Sequence, residues 1–337
     1  MEGDLIMAVL GKASSGGGQL PTISFMTSQT WTPSYDLTAY VYVIGGGGSG
    51  GATHNNVGGA VGGGAGGCAV SKLDLKSGTT YTIAIGAGGD RANASSTTTN
   101  GNAGGATTFS GSGISTMTGN GGAGGGTRAS NDSTHVTGAA GGTATGGTLG
   151  NFTGGKGSAI TASVNNVAYV MGGGGAVGLW ATGNDAHDAF SHYGYTAMGA
   201  MLNVEKGDLN PYKFFNRATD QGAGDHHENS FPTVEAFTGV LTTEVNNDTA
   251  QVDYDATFEK RTGAMDAKGY GFIRDSKLYM GMSAPFQGAN GVSGGTVYGQ
   301  RGCAGSGGGG AYAYSAATNS GGGGNGLVLI FPTSIGA

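Results

Sequence analysis

Four of the six histidines of the 337-residue chain lie beside carboxylates in two short stretches. DAHDAFSH (185–192) contains Asp185, His187 and His192, and DHHE (225–228) contains His226 and His227. A zinc site needs a tetrahedral set of about three or four nitrogen, sulfur or oxygen ligands, and neither stretch has the spacing of a compact helical zinc signature. We therefore predict loop histidines at a polar surface and no metal site.

Two carboxylates, Asp253 and Asp255, lie in the alternating stretch TAQVDYDATFEKRT (249–262). The alternation predicts a half-buried strand, which places both carboxylates on one face, about 6.6–7 Å apart along the chain. That separation is within reach of a glycosidase pair, but alternating aspartates are more often the wet face of an amphipathic strand. We predict no catalytic residues and no enzyme, and keep a glycan depolymerase acting through this pair as an alternative.

The stretch VYVIGGGGSGG (41–51) joins an apolar strand to a glycine loop, as in the G-x-G-x-x-G fingerprint of dinucleotide-binding folds. The fingerprint requires a helix after the loop, whereas more glycine-rich sequence follows here. With 75 glycines in the chain, a chance match is expected. GGKGS (154–158) lacks the spacing and the following helix of a phosphate-binding loop. We therefore predict no cofactor.

The overall composition limits the classes of partner. Charged residues make up only 11% of the chain, and the net charge of -6 without a basic stripe disfavours nucleic acid. No apolar run reaches the ~18 residues of a membrane span, and the first residues lack the basic segment of a signal peptide, so we expect synthesis in the cytoplasm and no membrane insertion. Cys68 and Cys303 are too few for a disulfide scaffold and are predicted to be small buried thiols.

Glycine is unevenly distributed and divides the chain. Residues 181–290 contain 12 glycines but 15 of the 21 acidic residues, and the other 63 glycines lie on both sides of them. This predicts an N-terminal attachment arm (1–20), a glycine-rich β domain (21–180 and 291–337) and an inserted α+β lobe (181–290).

Aromatic residues are frequent in the lobe. Surface tyrosine and tryptophan stack on sugars or anchor protein partners, whereas the phenylalanines are expected in the core of the lobe. The predicted receptor-binding residues are Trp180, Tyr193, Tyr195, Tyr212, His226, His227 and Tyr270.

The framework outside the lobe is predicted to be mainly β. Helix signals are absent, because glycine at this density is unfavourable in helices. The clearest strand signals are TISFM (22–26), TAYVYVI (38–44), CAVSKLDL (68–75), YTIAIGA (81–87), VAYVM (167–171) and GLVLIF (326–331). The third and fourth flank KSGTT and predict a hairpin. Within the lobe, GYGFIRDSKLYMGM (269–282) predicts a hairpin that turns at Asp275 and Ser276.

The glycine tracts need a physical reason. Glycine in a regular element costs about 0.5–1 kcal/mol relative to alanine, and over 75 glycines even the lower figure exceeds a typical net stability of about 5–15 kcal/mol. We predict close packing of extended segments with three residues per turn, hydrogen-bonded to one another through their peptide groups, in which a Cβ would hold the backbones apart. The alternative is a set of flexible linkers.

Four stretches together resemble the glycine-rich domains of tailed-bacteriophage fibre and spike proteins. They are a Trp-Thr-Pro strand (TWTPSYDLTAYVYVIGGGGSGG), LDLKSGTTYTIAIGAGG, GGATTFSG and the closing GGGGAYAYSAATNSGGGGNGLVLIFP. The resemblance covers roughly residues 20–180 and 290–337. The glycine tracts are also similar to those of distal-fibre adhesins of T-even-like phages.

The resemblance implies a β-sandwich decorated with polyglycine-II-like loops at the tip of a host-binding appendage. It implies a homotrimeric virion protein, with other virion proteins as partners of the N-terminal arm and a host glycan or outer-membrane protein as the partner of the lobe. A capsid decoration protein without receptor binding is a further alternative.

Overall fold

The computed structural model describes residues 23–54, 58–95, 98–128, 135–160, 170–171, 173–175, 177–178, 182–186, 272–274, 277–279, 288–289, 292–294, 297–299, 301–302, 304–313 and 318–335. These residues form strands and extended segments, and none of them belongs to a helix. The prediction of a mainly β chain is therefore confirmed. Accordingly, no helix of the described part is long and apolar enough to cross a membrane.

The first of two larger sheets is built from β1 (Ile23–Phe25), β3 (Leu37–Ile44), β6 (Cys68–Leu75), β13 (Gly150–Phe152) and β21 (Leu327–Ile335). The strands are antiparallel in the order β1-β21-β3-β6-β13. The strands predicted over 22–26, 38–44, 68–75 and 326–331 are confirmed as β1, β3, β6 and β21.

The second sheet is built from β2 (Gln29–Trp31), β7 (Tyr81–Ala84), β9 (Thr107–Gly111), β10 (Met117–Gly119) and β12 (Ala144–Thr145). These strands are also antiparallel, in the order β12-β10-β9-β7-β2. The strand predicted over 81–87 is confirmed as β7, which ends at Ala84.

The hairpin predicted around KSGTT is wrong, because β6 and β7 lie in different sheets. Thr79 N donates to Lys76 O at 3.2 Å and Gly78 has a φ of 71°, so this turn carries the chain from one sheet to the other. Leu75 and Tyr81, on either side of the turn, are buried in the same apolar cluster. Alternating apolar residues fill a core whether the two strands pair with each other or join different sheets, so the sequence pattern does not distinguish these two arrangements.

The two sheets share an apolar core. Val41 and Val328 from the first sheet and Ile83, Phe109 and Met117 from the second belong to one cluster, and none is more than 1% exposed. Burial of this apolar surface from both sheets is what holds them together.

The opposite face of the first sheet packs on the glycine-rich segments. Tyr42 and Ile44 form a second buried cluster with Ala65, Val177 and Ala304, which come from three separate glycine-rich stretches. The first sheet is therefore covered on both faces near its junction with the glycine tracts.

Short strands lie among the glycine tracts: β4 (Ala52–Thr53), β5 (Gly59–Ala60), β8 (Asn93–Ala94), β11 (Thr127–Arg128), β14 (Val170–Met171), β17 (Val292–Gly294), β18 (Val297–Tyr298), β19 (Ala311–Ala313) and β20 (Thr318–Asn319). They form three small sheets, β11-β5-β14, β17-β19-β4 and β18-β20-β8, with parallel and antiparallel pairs. Of the strand predicted over 167–171, the structure describes β14.

The hairpin predicted in the lobe is confirmed. Strands β15 (Phe272–Arg274) and β16 (Lys277–Tyr279) are antiparallel, with Arg274 paired to Lys277, while Asp275 and Ser276 lie outside the described residues. Most other residues of the predicted lobe lie outside the described part, so its α+β character stays a prediction.

Candidate functional site

The seven predicted receptor-binding residues all lie outside the described residues: Trp180, Tyr193, Tyr195, Tyr212, His226, His227 and Tyr270. Asp253 and Asp255 lie outside them as well. Asp185 is described, and its Oδ1 accepts a hydrogen bond from Lys156 N at 2.7 Å. Within the described ranges, no group of three or more histidine, cysteine, aspartate or glutamate side chains could hold a metal ion.

The described residues include a lattice of glycine segments that are hydrogen-bonded to one another, with residues 45–51 at its centre. All seven amides of this segment donate backbone hydrogen bonds of 2.8–3.0 Å, and the accepting segment changes at each residue. Gly45, Gly48 and Gly51 donate to residues 61–67, Gly46 and Ser49 to residues 102–105, and Gly47 and Gly50 to residues 321–324. The direction of donation therefore repeats every three residues, as expected for extended segments with three residues per turn.

Three more segments donate to the carbonyl groups of residues 45–51. Gly122 and Gly125 donate to Gly46 and Ser49, Gly89 donates to Gly47, and residues 308 and 311 donate to residues 48 and 51. The central segment therefore has six neighbours. Each neighbour also bonds to the next one around the ring, as in Gly101 N to Gly125 O and Gly323 N to Gly89 O, so the packing is hexagonal.

Residues 61–67 form a second such centre. Three of their six neighbours have already been described: residues 45–51, the first centre, and residues 120–126 and 305–311 of its ring. The other three neighbours are residues 138–142, 153–158 and 173–175. Most peptide N–H and C=O groups of both centres thus have backbone partners, which offsets the cost of burying them away from water.

Close approach of backbones explains the glycines. A Cβ added at Gly47 would overlap the carbonyl oxygen of Ser306, and one added at Gly63 would overlap that of Gly48. A Cβ at Gly51 would lie 2.7 Å from Gly126 O, closer than real Cβ atoms come to any neighbour. The prediction that a Cβ would hold these backbones apart is confirmed, and the ordered hydrogen bonds are not those of flexible linkers.

A few polar side chains complete the lattice where a backbone partner is missing. Ser49 Oγ accepts from Asn102 N at 2.8 Å, and Thr107 Oγ1 accepts from Gly86 N at 3.0 Å. Asn325 Oδ1 accepts from Gly88 N at 2.9 Å and from Arg301 Nη2 at 3.0 Å. Nothing in the sequence singles out these residues, because an isolated serine, threonine or asparagine among glycines gives no signal of its partner.

The chain enters and leaves the predicted lobe from this lattice. On one side, Gly183 N donates to Thr153 O at 2.8 Å and Ala186 N to Lys156 O at 2.9 Å. On the other side, Ala289 N donates to Gly307 O at 3.0 Å. Both connections of residues 187–287 are therefore fixed by backbone hydrogen bonds to lattice segments.

Two of the first strands of the described chain run towards the lattice. Strand β3 runs from Leu37 to the lattice at Ile44, about 26 Å for eight residues. β21 is antiparallel to it, with Ile335 opposite Leu37, and β1 runs in the same direction as β3. β1 and β3 therefore both run towards the glycine lattice.

Hydrogen bonds join two loops at the end of the sheets that faces away from the lattice. Asp36 Oδ2 accepts from Lys76 Nζ at 2.8 Å and its Oδ1 accepts from Ser77 N at 2.8 Å. The hydrogen bond from Lys76 and then that from Ser77 lower the pKa of Asp36, and the same contact with Asp36 raises the pKa of Lys76. The ion pair is partly exposed, with side-chain exposures of 64% for Lys76 and 40% for Asp36, and we expect salt to weaken it.

Cys68 is a free, fully buried thiol at the start of β6. Its burial in apolar surroundings raises the pKa of the thiol far above its ordinary value, which makes it unreactive in the folded chain. The prediction of a small buried thiol is confirmed for Cys68, while Cys303 lies outside the described residues.

Comparison with known families agrees with this architecture. A family model described as a glycine-rich domain matches residues 23–224, which is more than half of the chain. The chain belongs to this glycine-rich domain family. The comparison with curated proteins finds no match.

Proposed function

We propose that the protein is a structural subunit of a virion appendage, a phage tail fibre or spike, that presents residues 187–287 to a host surface. The observation that carries the proposal is the anchoring of both ends of this region in the glycine lattice, while β1, the first strand that the structure describes, runs towards that lattice from the sheets. Such an arrangement suits a chain that attaches at one end and recognises its target at the other.

The lattice supports this function through its rigidity. Its inner segments are tied by hydrogen bonds in six directions and consist mostly of glycine, which has no side chain that could change rotamer. A support of this kind orders the chain on either side of the projecting region before it meets a partner, which reduces the entropy cost of binding.

Finer features of the proposal follow the resemblance to phage fibre domains. We propose that the two large sheets form a β-sandwich, that residues 1–20 bind other virion proteins, and that the subunit assembles as a homotrimer. The partner of the lobe is a host glycan or outer-membrane protein, contacted by Trp180, Tyr193, Tyr195, Tyr212, His226, His227 and Tyr270.

Removal of the lobe tests the proposal. In one variant, residues 187–287 are replaced by a flexible glycine-serine linker that joins Ala186 to Gly288. Binding of fluorescently labelled protein to a panel of bacterial strains is then compared with that of the full chain. We expect the full chain to bind at least one strain and the deletion variant to lose that binding while it retains the cooperative unfolding of the lattice.

Two outcomes would favour the alternatives. No binding by either protein would support a decoration protein without receptor binding, and equal binding by both would contradict the role proposed for residues 187–287. Release of soluble sugar from host polysaccharide, abolished in an Asp253→Asn/Asp255→Asn variant, would support a depolymerase.

A further inference from the structure

In the described part of the chain, one outer layer of the glycine lattice has peptide groups without hydrogen-bond partners. In residues 120–126, Gly122 and Gly125 donate inward to the central segment, at 2.9 and 2.8 Å. Ala123 donates sideways to Ala140 O at 2.9 Å. Among the described residues, nothing bonds to the N–H or the C=O of Gly121 and Gly124. These two glycines are partly exposed, whereas Gly122 and Gly125 are buried, so every third peptide group of this segment faces solvent.

The two segments beside it continue the same feature. In residues 101–105, the peptide N–H and C=O of Ala103 have no partner in the described part of the chain. The same holds for Gly138 and Gly141 in residues 138–142. We name the five residues Ala103, Gly121, Gly124, Gly138 and Gly141 the open face.

Side chains cannot cover most of the open face from within. A Cβ at Gly121 or Gly124 would overlap the carbonyl oxygens of Gly104 or Gly101, and Cβ atoms at Gly138 and Gly141 would overlap other lattice carbonyls. The open face therefore exposes backbone donors and acceptors, with no charged residue among its members.

The spacing of these groups selects the ligand. Successive free groups along one segment are three residues apart, about 9.3 Å at 3.1 Å per residue. A β-strand repeats every two residues, about 6.6–6.8 Å, and so cannot pair with consecutive groups. An extended segment with three residues per turn matches the repeat, and such segments already pack in the layers below.

We propose that the open face binds an extended Gly-Gly-X segment of another protein chain, which adds one more segment to the lattice. Glycines allow its backbone to approach closely, and X lies where the added segment faces solvent. This is the counterpart, for a lattice of this kind, of strand addition at an exposed sheet edge. The proposal does not depend on the function of residues 187–287.

Amide exchange with a defined peptide tests the proposal. The probe is a lysine-flanked Gly-Gly-Ala repeat, and its control is the same peptide with N-methylglycine in place of glycine, which removes the N–H donors. In the isotope-labelled full chain alone, we expect Gly121 and Gly124 to exchange faster than Gly122 and Gly125. Saturating probe should slow exchange at Gly121 and Gly124 about fivefold, as expected for one net hydrogen bond, and the control peptide should not.

A blocking variant makes the test specific. Ala103 is exposed, so Ala103→Trp places a large side chain over the open face without entering the lattice. Ser112→Trp, at an exposed turn of the second sheet, is the matched control. Loss of the probe effect in Ala103→Trp but not in Ser112→Trp supports the proposal. No effect of the probe, an equal effect of the N-methylated peptide, or an effect that survives Ala103→Trp overturns it.

Discussion

Replacement of Gly47 by alanine tests whether close backbone contact is the reason for the glycines. The new Cβ would meet Ser306 O about 1.5 Å inside the 3.4 Å at which ordinary contact begins. Residues 305–311 would have to move away from residues 45–51 by a similar amount. The bonds from Gly308 N to Gly48 O, at 2.9 Å, and from Ala311 N to Gly51 O, at 3.0 Å, would then exceed hydrogen-bond length.

The expected cost is a large share of a typical domain stability. Overpacking of a core costs about 1–3 kcal/mol, and a buried backbone group left without its partner costs about 1–3 kcal/mol. With two broken bonds, Gly47→Ala should lower the free energy of unfolding by at least about 3 kcal/mol, against a usual total of about 5–15 kcal/mol.

The lattice provides a matched control at Gly322. A Cβ there would lie 3.4 Å from Gly89 O and 3.6 Å from Arg91 Cγ, which is ordinary contact, and its φ is not in the left-handed region. Gly322→Ala should therefore stabilise the protein by about 0.4–1 kcal/mol, because alanine restricts the unfolded chain. Gly310→Ala, with a Cβ 2.7 Å from Ala60 O, should have a stability between those of Gly322→Ala and Gly47→Ala.

Urea unfolding measures the order of stability of these variants. A Trp180→Phe background leaves Trp31 as the reporter, whose ring lies 5.6 Å from that of Phe25 and 6.0 Å from that of Tyr81. We expect unfolding midpoints in the order Gly322→Ala, parent, Gly310→Ala, Gly47→Ala. Equal midpoints for Gly47→Ala and Gly322→Ala would refute the argument from backbone contact.

Three further predictions concern exchange, thiol chemistry and pH. All seven amides of residues 45–51 should be protected from hydrogen exchange, because each one donates a lattice bond; alternating protection, measured by NMR, would indicate a strand instead. In a Cys303→Ser variant, Cys68 should react with a thiol reagent only at the rate of unfolding, and rapid labelling of the folded chain would contradict its burial. The pKa of Asp36 is lower in the folded chain than its unfolded value of about 3.9, so the ionised carboxylate stabilises the fold above that pH. This stability is lost as the pH falls through the folded pKa. Asp36→Asn should therefore weaken the acid dependence of the unfolding midpoint below about pH 4. An unchanged acid dependence would mean that the contact with Lys76 contributes nothing.

Local sequence was enough to locate the main strands. In β3, a run of β-branched and aromatic residues ends at glycine, and in β6 apolar residues alternate with polar ones up to a turn; the strand over Cys68–Leu75 was predicted to the residue. The absence of helix also followed from composition, because glycine lowers helix stability wherever it occurs.

The sequence did not determine which sheet each strand joins. β6 and β7 are separated by a short turn typical of a hairpin, yet they belong to different sheets. Their partners, β3 and β9, are distant in the chain, and the choice depends on how both sheets fill the shared core around Phe109.

Composition alone predicted that backbone packing replaces side-chain packing in the glycine tracts, since so many glycines are otherwise too costly, and it left flexible linkers as the alternative. Only the tertiary structure decided which segments meet, that residues 45–51 and 61–67 are the centres, and that Gly121 and Gly124 face outward. The physical reason is that a glycine has no side chain to mark its partner. Its neighbours are set by the directions of its peptide groups, and these are fixed when all the segments pack together.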